Sequence, residues 1–193
     1  MTENGLVRCG WAETRPGPDA ELYRDYHDYE WGRPVRDGVA LFERMSLEAF
    51  QSGLSWLIIL RKRPEFRRAF DGFDVEKVAR FTDADVQRLM ADASIVRNRA
   101  KIEATIANAR AAAELGSPQD LSDLLWSFAP EPRPRFAELS EIPSASTESK
   151  AMARELKRRG FRFVGPTTAY ALMQATGMVD DHVRACWVRP TEN

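Results

Sequence analysis

The chain has only two cysteines and two histidines, and they fall as two pairs: Cys9 with His27 towards one end, His182 with Cys186 towards the other. Thiolate and imidazole are the donors that zinc takes in tetrahedral sites. Four of them fill the coordination shell and leave no position for water, which argues for a structural metal and against a Lewis-acid catalyst. His182 and Cys186 are four residues apart, so one helical turn would aim both at a single point. The interval from Cys9 to His27 matches no standard finger spacing. Any one of the four, taken alone, reads better as a small buried thiol or an ordinary polar histidine than as a ligand. As a set they predict one zinc ion per chain, clipping segment 9–32 to segment 177–190.

A second concentration of chemistry lies in the N-terminal third, where Trp11, Tyr23, Tyr26, Tyr29, Trp31 and Trp56 gather large rings with polar edges. Such rings stack well on flat ligands. Glu48 precedes Trp56 by eight positions. On one continuous helix that is just over two turns, which would leave both side chains on roughly the same side. Singly, Glu48 reads as a residue complementing a helix N-terminus and Trp56 as core packing.

The third group is basic. From Leu156 to Met173 the chain reads LKRRGFRFVGPTTAYALM, with Gly160 and Gly165 bracketing Phe161-Arg162-Phe163-Val164. A helix beginning after Gly165 would present free backbone N–H groups and the positive end of its dipole, which suit a phosphate oxygen. Lys157, Arg158, Arg159 and Arg162 concentrate positive charge beside it. The competing account is a solvated basic face next to an ordinary turn.

These groups need rigid elements to hold them. Ser46 is a candidate N-cap for a buried helix running through Leu47, Phe50, Leu54, Trp56, Leu57 and Leu60. Asp74, and Thr82 with Asp85 three residues on, open two short amphipathic segments ending near Phe81 and Met90. Arg99 to Leu115 carries Ile102, Ile106, Ala109 and Ala113 at helical spacing until Gly116-Ser117-Pro118 stops it. After a helix through Leu124 and Trp126, the prolines between Pro130 and Pro134 require an extended loop. A further helix follows Ser144–Ser149 and runs to Gly160, and another begins at Gly165-Pro166. No stretch alternates with period two, so the predicted fold is all-α, a single domain over 1–193 with a helix, hairpin and helix over 146–176.

Bulk properties narrow the partners. A 44% hydrophobic content over 193 residues can build one core without disulfides. The net charge of -1 advertises no polyanion, so nucleic acid would be met by a local patch. Neither a signal sequence nor an apolar run long enough for a membrane is present, and a cytoplasmic monomer with no membrane partner is expected.

Cys9-Gly10-Trp11, Tyr26-His27-Asp28-Tyr29-Glu30-Trp31-Gly32, Gly53-Leu54-Ser55-Trp56, Arg97-x-Arg99-x-Lys101-Ile102, Gly160-Phe161-Arg162-Phe163-Val164-Gly165 and Asp181-His182 followed by Cys186 together resemble 3-methyladenine DNA glycosylase I. The resemblance spans residues 9 to 186. It implies an all-α, monofunctional glycosylase of the helix-hairpin-helix superfamily that flips alkylated purines out of double-stranded DNA and acts at the nucleoid, with Cys9, His27, His182 and Cys186 as zinc ligands. By the same resemblance Glu48 is the catalytic carboxylate and joins Tyr26 in bonding the extruded base. Trp56 stacks on it, and Trp11, Tyr23 and Trp31 form the wall. Gly53 and Leu54 match a loop that probes the duplex, and Arg159, Gly160, Arg162, Phe163, Gly165 and Thr167 form the hairpin's DNA-binding set. Two departures stand out: Asp180 replaces a frequent asparagine, and the 130 to 135 loop looks individual. The rival from another class is a zinc-stabilised protein that binds damaged DNA without cutting a bond. A zinc nuclease fits less well, because all four soft ligands are spent on a closed site.

Overall fold

Apolar residues on nearly every face sink one helix into the middle of the protein. In the computed structural model, which describes residues 5–13 and 17–189, this is α3, Gly38–Gln51, with Leu41, Phe42, Met45, Leu47 and Phe50 all buried. It packs against four others: α4 (Trp56–Ala69), α7 (Arg99–Ala113), α8 (Pro118–Trp126) and α10 (Pro166–Ala175). Before it come the short α1 (Gly10–Glu13) and α2 (Ala20–Asp25), the latter running into a π-helical turn, Tyr26–Glu30. α5 (Val75–Ala79) and α6 (Asp83–Ala91) lie on α7, and α9 (Thr147–Arg158) pairs with α10. No strand occurs among the described residues. The tips of the 1–193 chain and residues 14–16 and 190, parts of the clip segments 9–32 and 177–190, lie outside them.

Two of the expected caps, Asp74 and Thr82, close their helices. Asp74 accepts from the Lys77 N–H at 3.0 Å, and Thr82 and Asp85 form a reciprocal box at the start of α6. Asn98, Ser117 and Ser146 do the same for α7, α8 and α9. The Pro130–Pro134 run is irregular, as proline requires.

The expected single helix from Ser46 through Leu60 is instead two. Asp37 is the true cap of α3, accepting from the Ala40 N–H at 2.8 Å, and Ser46 sits within the helix, donating to the Phe42 carbonyl at 2.8 Å. Leu41, Phe42 and Met45 continue the buried face upstream of Ser46, so the helix gains core by starting earlier. Downstream, Gly53 has φ +80, a left-handed conformation that breaks the helix and re-aims the chain into α4.

The core is a stack of phenylalanines. Phe50 meets Phe66 at 4.6 Å between centroids, and Phe70 lies nearly parallel to Phe73 at 5.5 Å. A smaller cluster of Cys9, Val183, Cys186 and Val188 lies at the clip, with Trp11, Trp31 and Trp187 packed on it.

Candidate functional site

The ligand atoms of Cys9, His27, His182 and Cys186 lie within 4.8 Å of one another, and all four residues are buried. The π-helical turn carries His27 inward, while Cys9 arrives just ahead of α1. The other pair does not use the helical turn that its spacing suggested. Residues 180–189 are irregular, and the Cys186 N–H bonds the Val183 carbonyl at 2.8 Å, so a tight turn returns Cys186 beside His182. The chain here wraps a compact cluster and has no long apolar stripe with which to sustain a helix.

Hydrogen bonds fix both imidazoles. His27 Nδ1 faces Asp28 Oδ1 at 2.7 Å, and His182 Nε2 faces the Trp31 carbonyl at 3.2 Å. Carboxylate and carbonyl are acceptors, so each ring donates outward and turns its other nitrogen, with its lone pair, towards the sulfurs. Burial opposes charge on Asp28, but hydrogen bonds from Arg8 and His27 outweigh it and hold the carboxyl below its usual range. Gly32 makes the Trp31 contact possible: its φ is +77, and a Cβ there would stand 2.9 Å from His182 Nε2. This donor set can hold a metal ion, linking the N- and C-terminal segments.

Against that cluster sits a cavity of about 360 Å³. Trp11, Tyr23, Tyr26, Trp31, Glu48 and Trp56 all line it, so the six expected pocket residues come together. Tyr29, the remaining ring of the set with polar edges, is 69% exposed and stands apart. Trp11 is the hinge of the wall, meeting Tyr23 at 5.3 Å and Trp31 at 5.1 Å edge-on, and His27 at 5.1 Å. Trp31 meets His182 at 4.7 Å, so the wall rests directly on the clip. The Tyr26 and Trp56 rings of the lining pack on each other, tilted, at 5.2 Å between centroids. The indole Nε1 of Trp56 is buried without a hydrogen-bond partner among the described residues.

Glu48 reaches the cavity by a different route from the expected one. It stands in the last turn of α3, not near a helix start, and Trp56 opens the next helix, so the Gly53 turn and not a shared helix face brings them together. Burial raises the Glu48 carboxyl to about 8, with the Arg44 guanidinium one turn earlier pulling the other way. Arg44 Nη2 and Arg63 Nη1 both bond Glu30, at 2.7 and 2.6 Å. Burial works against charge on Glu30 too, but the two guanidinium groups hold it at about 2. This partly buried network beside Tyr26 was not evident from residue types, because Glu30, Arg44 and Arg63 share no local pattern.

Gln51, Gln174, Leu139, Ile142 and Ala171 complete the lining and were also missed. Gln174 Nε2 donates to Asp181 Oδ2 at 2.8 Å, beside Tyr170 Oη at 2.7 Å from the same oxygen, and Arg133 bonds the other oxygen. The two sequence departures touch each other: Arg135, in the individual loop, donates to Asp180 Oδ2 at 2.7 Å, so the substituted acid has its own countercharge.

Gly53 and Leu54 form an exposed turn between α3 and α4, Leu54 being 37% exposed. The helix, hairpin and helix are present as α9, residues 159–165 and α10. Gly165 caps α10 with φ -65, and a Cβ there would meet nothing within 4 Å, so no part of the chain itself demands glycine. Thr167 and Phe163 are exposed. The basic set is less free than its residue types imply, since Arg158 and Arg159 both bond Glu155, at 2.6 Å. Arg162 is exposed and borders a separate hollow with Thr82, Asp83 and Glu103.

Comparison with known proteins agrees with this architecture. The family model described as methyladenine glycosylase matches residues 15–189. DNA-3-methyladenine glycosylase 1 of Escherichia coli is 46% identical over 96% of this chain and 98% of its own length. The DNA-3-methyladenine glycosylase of Haemophilus influenzae is 41% identical over 93% and 96%. A crystal structure of a 3-methyladenine DNA glycosylase I superimposes with a TM-score of 0.88 at 42% identity, covering 95% of this chain and all of the other. The Staphylococcus aureus enzyme, solved for its recognition of 3-methyladenine, gives 0.86 at 33% identity over 97% and 99%. With the family model, these relatives and the all-helical fold in agreement, the chain belongs to the methyladenine glycosylase family.

Proposed function

We propose that this chain is a DNA-3-methyladenine glycosylase, a single domain that hydrolyses the N-glycosidic bond of 3-methyladenine in double-stranded DNA and leaves an abasic site. One observation carries the reading: a buried carboxylate and several aromatic side chains converge on one cavity in a chain whose relatives carry that activity in their names.

Methylation at N3 puts a positive charge on adenine and weakens its bond to the sugar. Water forms the new bond to C1′ and releases one proton to solvent, the electron pair of the breaking bond passes to the base, and the base departs neutral, so no strong general acid is needed. The protein's task is to hold the flipped base and favour the cation over ordinary adenine. Glu48 supplies a carboxylate for charge-assisted bonding, and the Trp56 face attracts a cation by on the order of 1 to 2 kcal/mol when water is excluded. No lysine lines the cavity among the described residues, which favours direct hydrolysis over an amine adduct. Tyr26 bonds the base, and Trp11, Tyr23 and Trp31 shape the slot.

Zinc is the ion we assign to the four-residue cluster. Tetrahedral zinc with bonds of about 2.3 Å to sulfur and 2.0 Å to nitrogen sets sulfur and nitrogen about 3.5 Å apart. Here Cys9 Sγ and His182 Nδ1 are 3.6 Å apart, Cys186 Sγ and His27 Nε2 3.6 Å, and Cys186 Sγ and His182 Nδ1 3.5 Å. The ion's contribution is to fasten the chain's two segments.

For DNA, Gly53 and Leu54 enter the stack, and the hairpin residues Gly160, Phe163, Gly165, Thr167, Arg159 and Arg162 hold the backbone. Incubation with methylated duplex should release free 3-methyladenine, identified by chromatography, and leave abasic sites. Tight binding of the methylated duplex with no base released would favour the non-catalytic damage binder. Trp56→Ala should lower kcat/KM on the same duplex about tenfold to thirtyfold, the loss of stacking and cation attraction. Unchanged excision would remove Trp56 from the site.

A further inference from the structure

The segment Arg97-x-Arg99-x-Lys101-Ile102 opens α7, and none of it touches the base cavity. Lys101 is only 6% exposed. Its ammonium donates to the Phe50 carbonyl at 2.8 Å and to the Ser52 carbonyl. Those oxygens stand where α3 ends and the Gly53-Leu54 turn begins, at the negative end of the helix dipole, which suits a cation. Burial of a lysine is costly, and desolvation pulls its pKa down. Any apolar side chain would fill the space without that cost, so the bonds to the turn are what the lysine supplies.

Seven residues later, two turns along and on the same face of α7, Asn108 is 1% exposed. Its Oδ1 accepts from the Arg162 N–H at 2.6 Å, and its Nδ2 donates to the Arg162 carbonyl at 3.0 Å. Both backbone groups of one hairpin residue are thereby clamped. The next residue, Phe163, has φ +55, which a side-chain-bearing residue rarely adopts, and is 41% exposed. Leu54, beyond the Lys101 bonds, is 37% exposed. Two loops, each displaying one exposed apolar side chain, are tied through their backbones to a single face of one helix.

We propose that α7 is the strut that fixes the distance between the two loops gripping duplex DNA, with Lys101 and Asn108 as its positioning residues. Flipping a nucleotide needs one loop to occupy the stack while another holds the backbone. The strain is delivered only if the two cannot drift apart. Neither residue touches the base, so the strut acts on duplex and leaves the pocket alone. This inference rests on the glycosylase reading above.

The test uses the full chain, Lys101→Met, Asn108→Ala and Leu54→Ala, with Leu54→Ala also combined with Lys101→Met. Two quantities are read for each: affinity for free 3-methyladenine from tryptophan fluorescence, which reports pocket and fold, and kcat/KM on methylated duplex. Lys101→Met and Asn108→Ala should each lower duplex excision about tenfold while base affinity stays within twofold. In the Leu54→Ala background, Lys101→Met should cost less than a further twofold, because it acts through the same turn. Equal falls in base affinity and excision, or losses that multiply in the double variant, would make Lys101 a general stabiliser and overturn the strut. Failure of the parent to release any base would instead refute the glycosylase reading.

Discussion

Glu48→Gln is expected to excise 3-methyladenine about a hundredfold more slowly than the parent and yet to melt at a higher temperature above pH 8. The loss follows from removing the one negative charge that faces the cationic base, a charge-assisted bond at a largely desolvated position. The gain follows from the carboxyl's burial. Its pKa stands at about 8 in the folded protein against an ordinary 4.5, so the folded state keeps a proton that the unfolded state gives up. Stability therefore falls as pH rises from about 4.5 to 8, by on the order of 3 to 5 kcal/mol in total. Glutamine carries no such penalty. Below pH 4.5 the carboxyl is neutral in both states, and parent and variant should melt alike. The parent's kcat/KM should in turn climb as pH rises towards 8 and level off once Glu48 is ionised in the free protein. Identical melting curves for parent and Glu48→Gln at pH 9 would mean that the carboxyl is not desolvated as described.

The other large effect concerns His182→Ala. Removing one ligand from a closed four-ligand site forfeits much of the ion's binding free energy, about 10 kcal/mol or more for structural zinc. A domain this size has a total stability of about 5 to 15 kcal/mol. The variant should lose at least 5 kcal/mol, melting more than 10 °C lower or failing to fold. Metal analysis of the same preparations should find one zinc per chain in the parent and well under half in the variant. Parent protein purified without added zinc and found nearly metal-free, or a variant melting within two or three degrees of it, would remove the ion from the fold. Excision should fall with stability, because Trp11 and Trp31 rest their edges on His27 and His182.

The four clip residues were legible because two rare residue types occur only there. Caps at Asp74 and Thr82, and the proline loop, follow from chemistry confined to three or four consecutive residues. What was hidden is tertiary. The break at Gly53 could not be told from an apolar run, because continuous burial erases periodicity. Glu48 and Trp56 were paired for a geometric reason that the break removes, although both do face one cavity. Gln174, Arg44 and Asn108 take their roles from partners 7, 14 and 54 residues distant, and nothing in their neighbours marks them. Charge is similarly contextual: Arg158 and Arg159 look free in the sequence but share Glu155.

The reliance of the aromatic wall on His27 and His182 bears on how the protein is made. A polypeptide growing from its N-terminus has produced Trp11, Tyr26, Glu48 and Trp56 long before His182 and Cys186 exist to brace them. During synthesis, therefore, the slot lacks its backing until His182 and Cys186 emerge, well after every aromatic ring of its wall has been made.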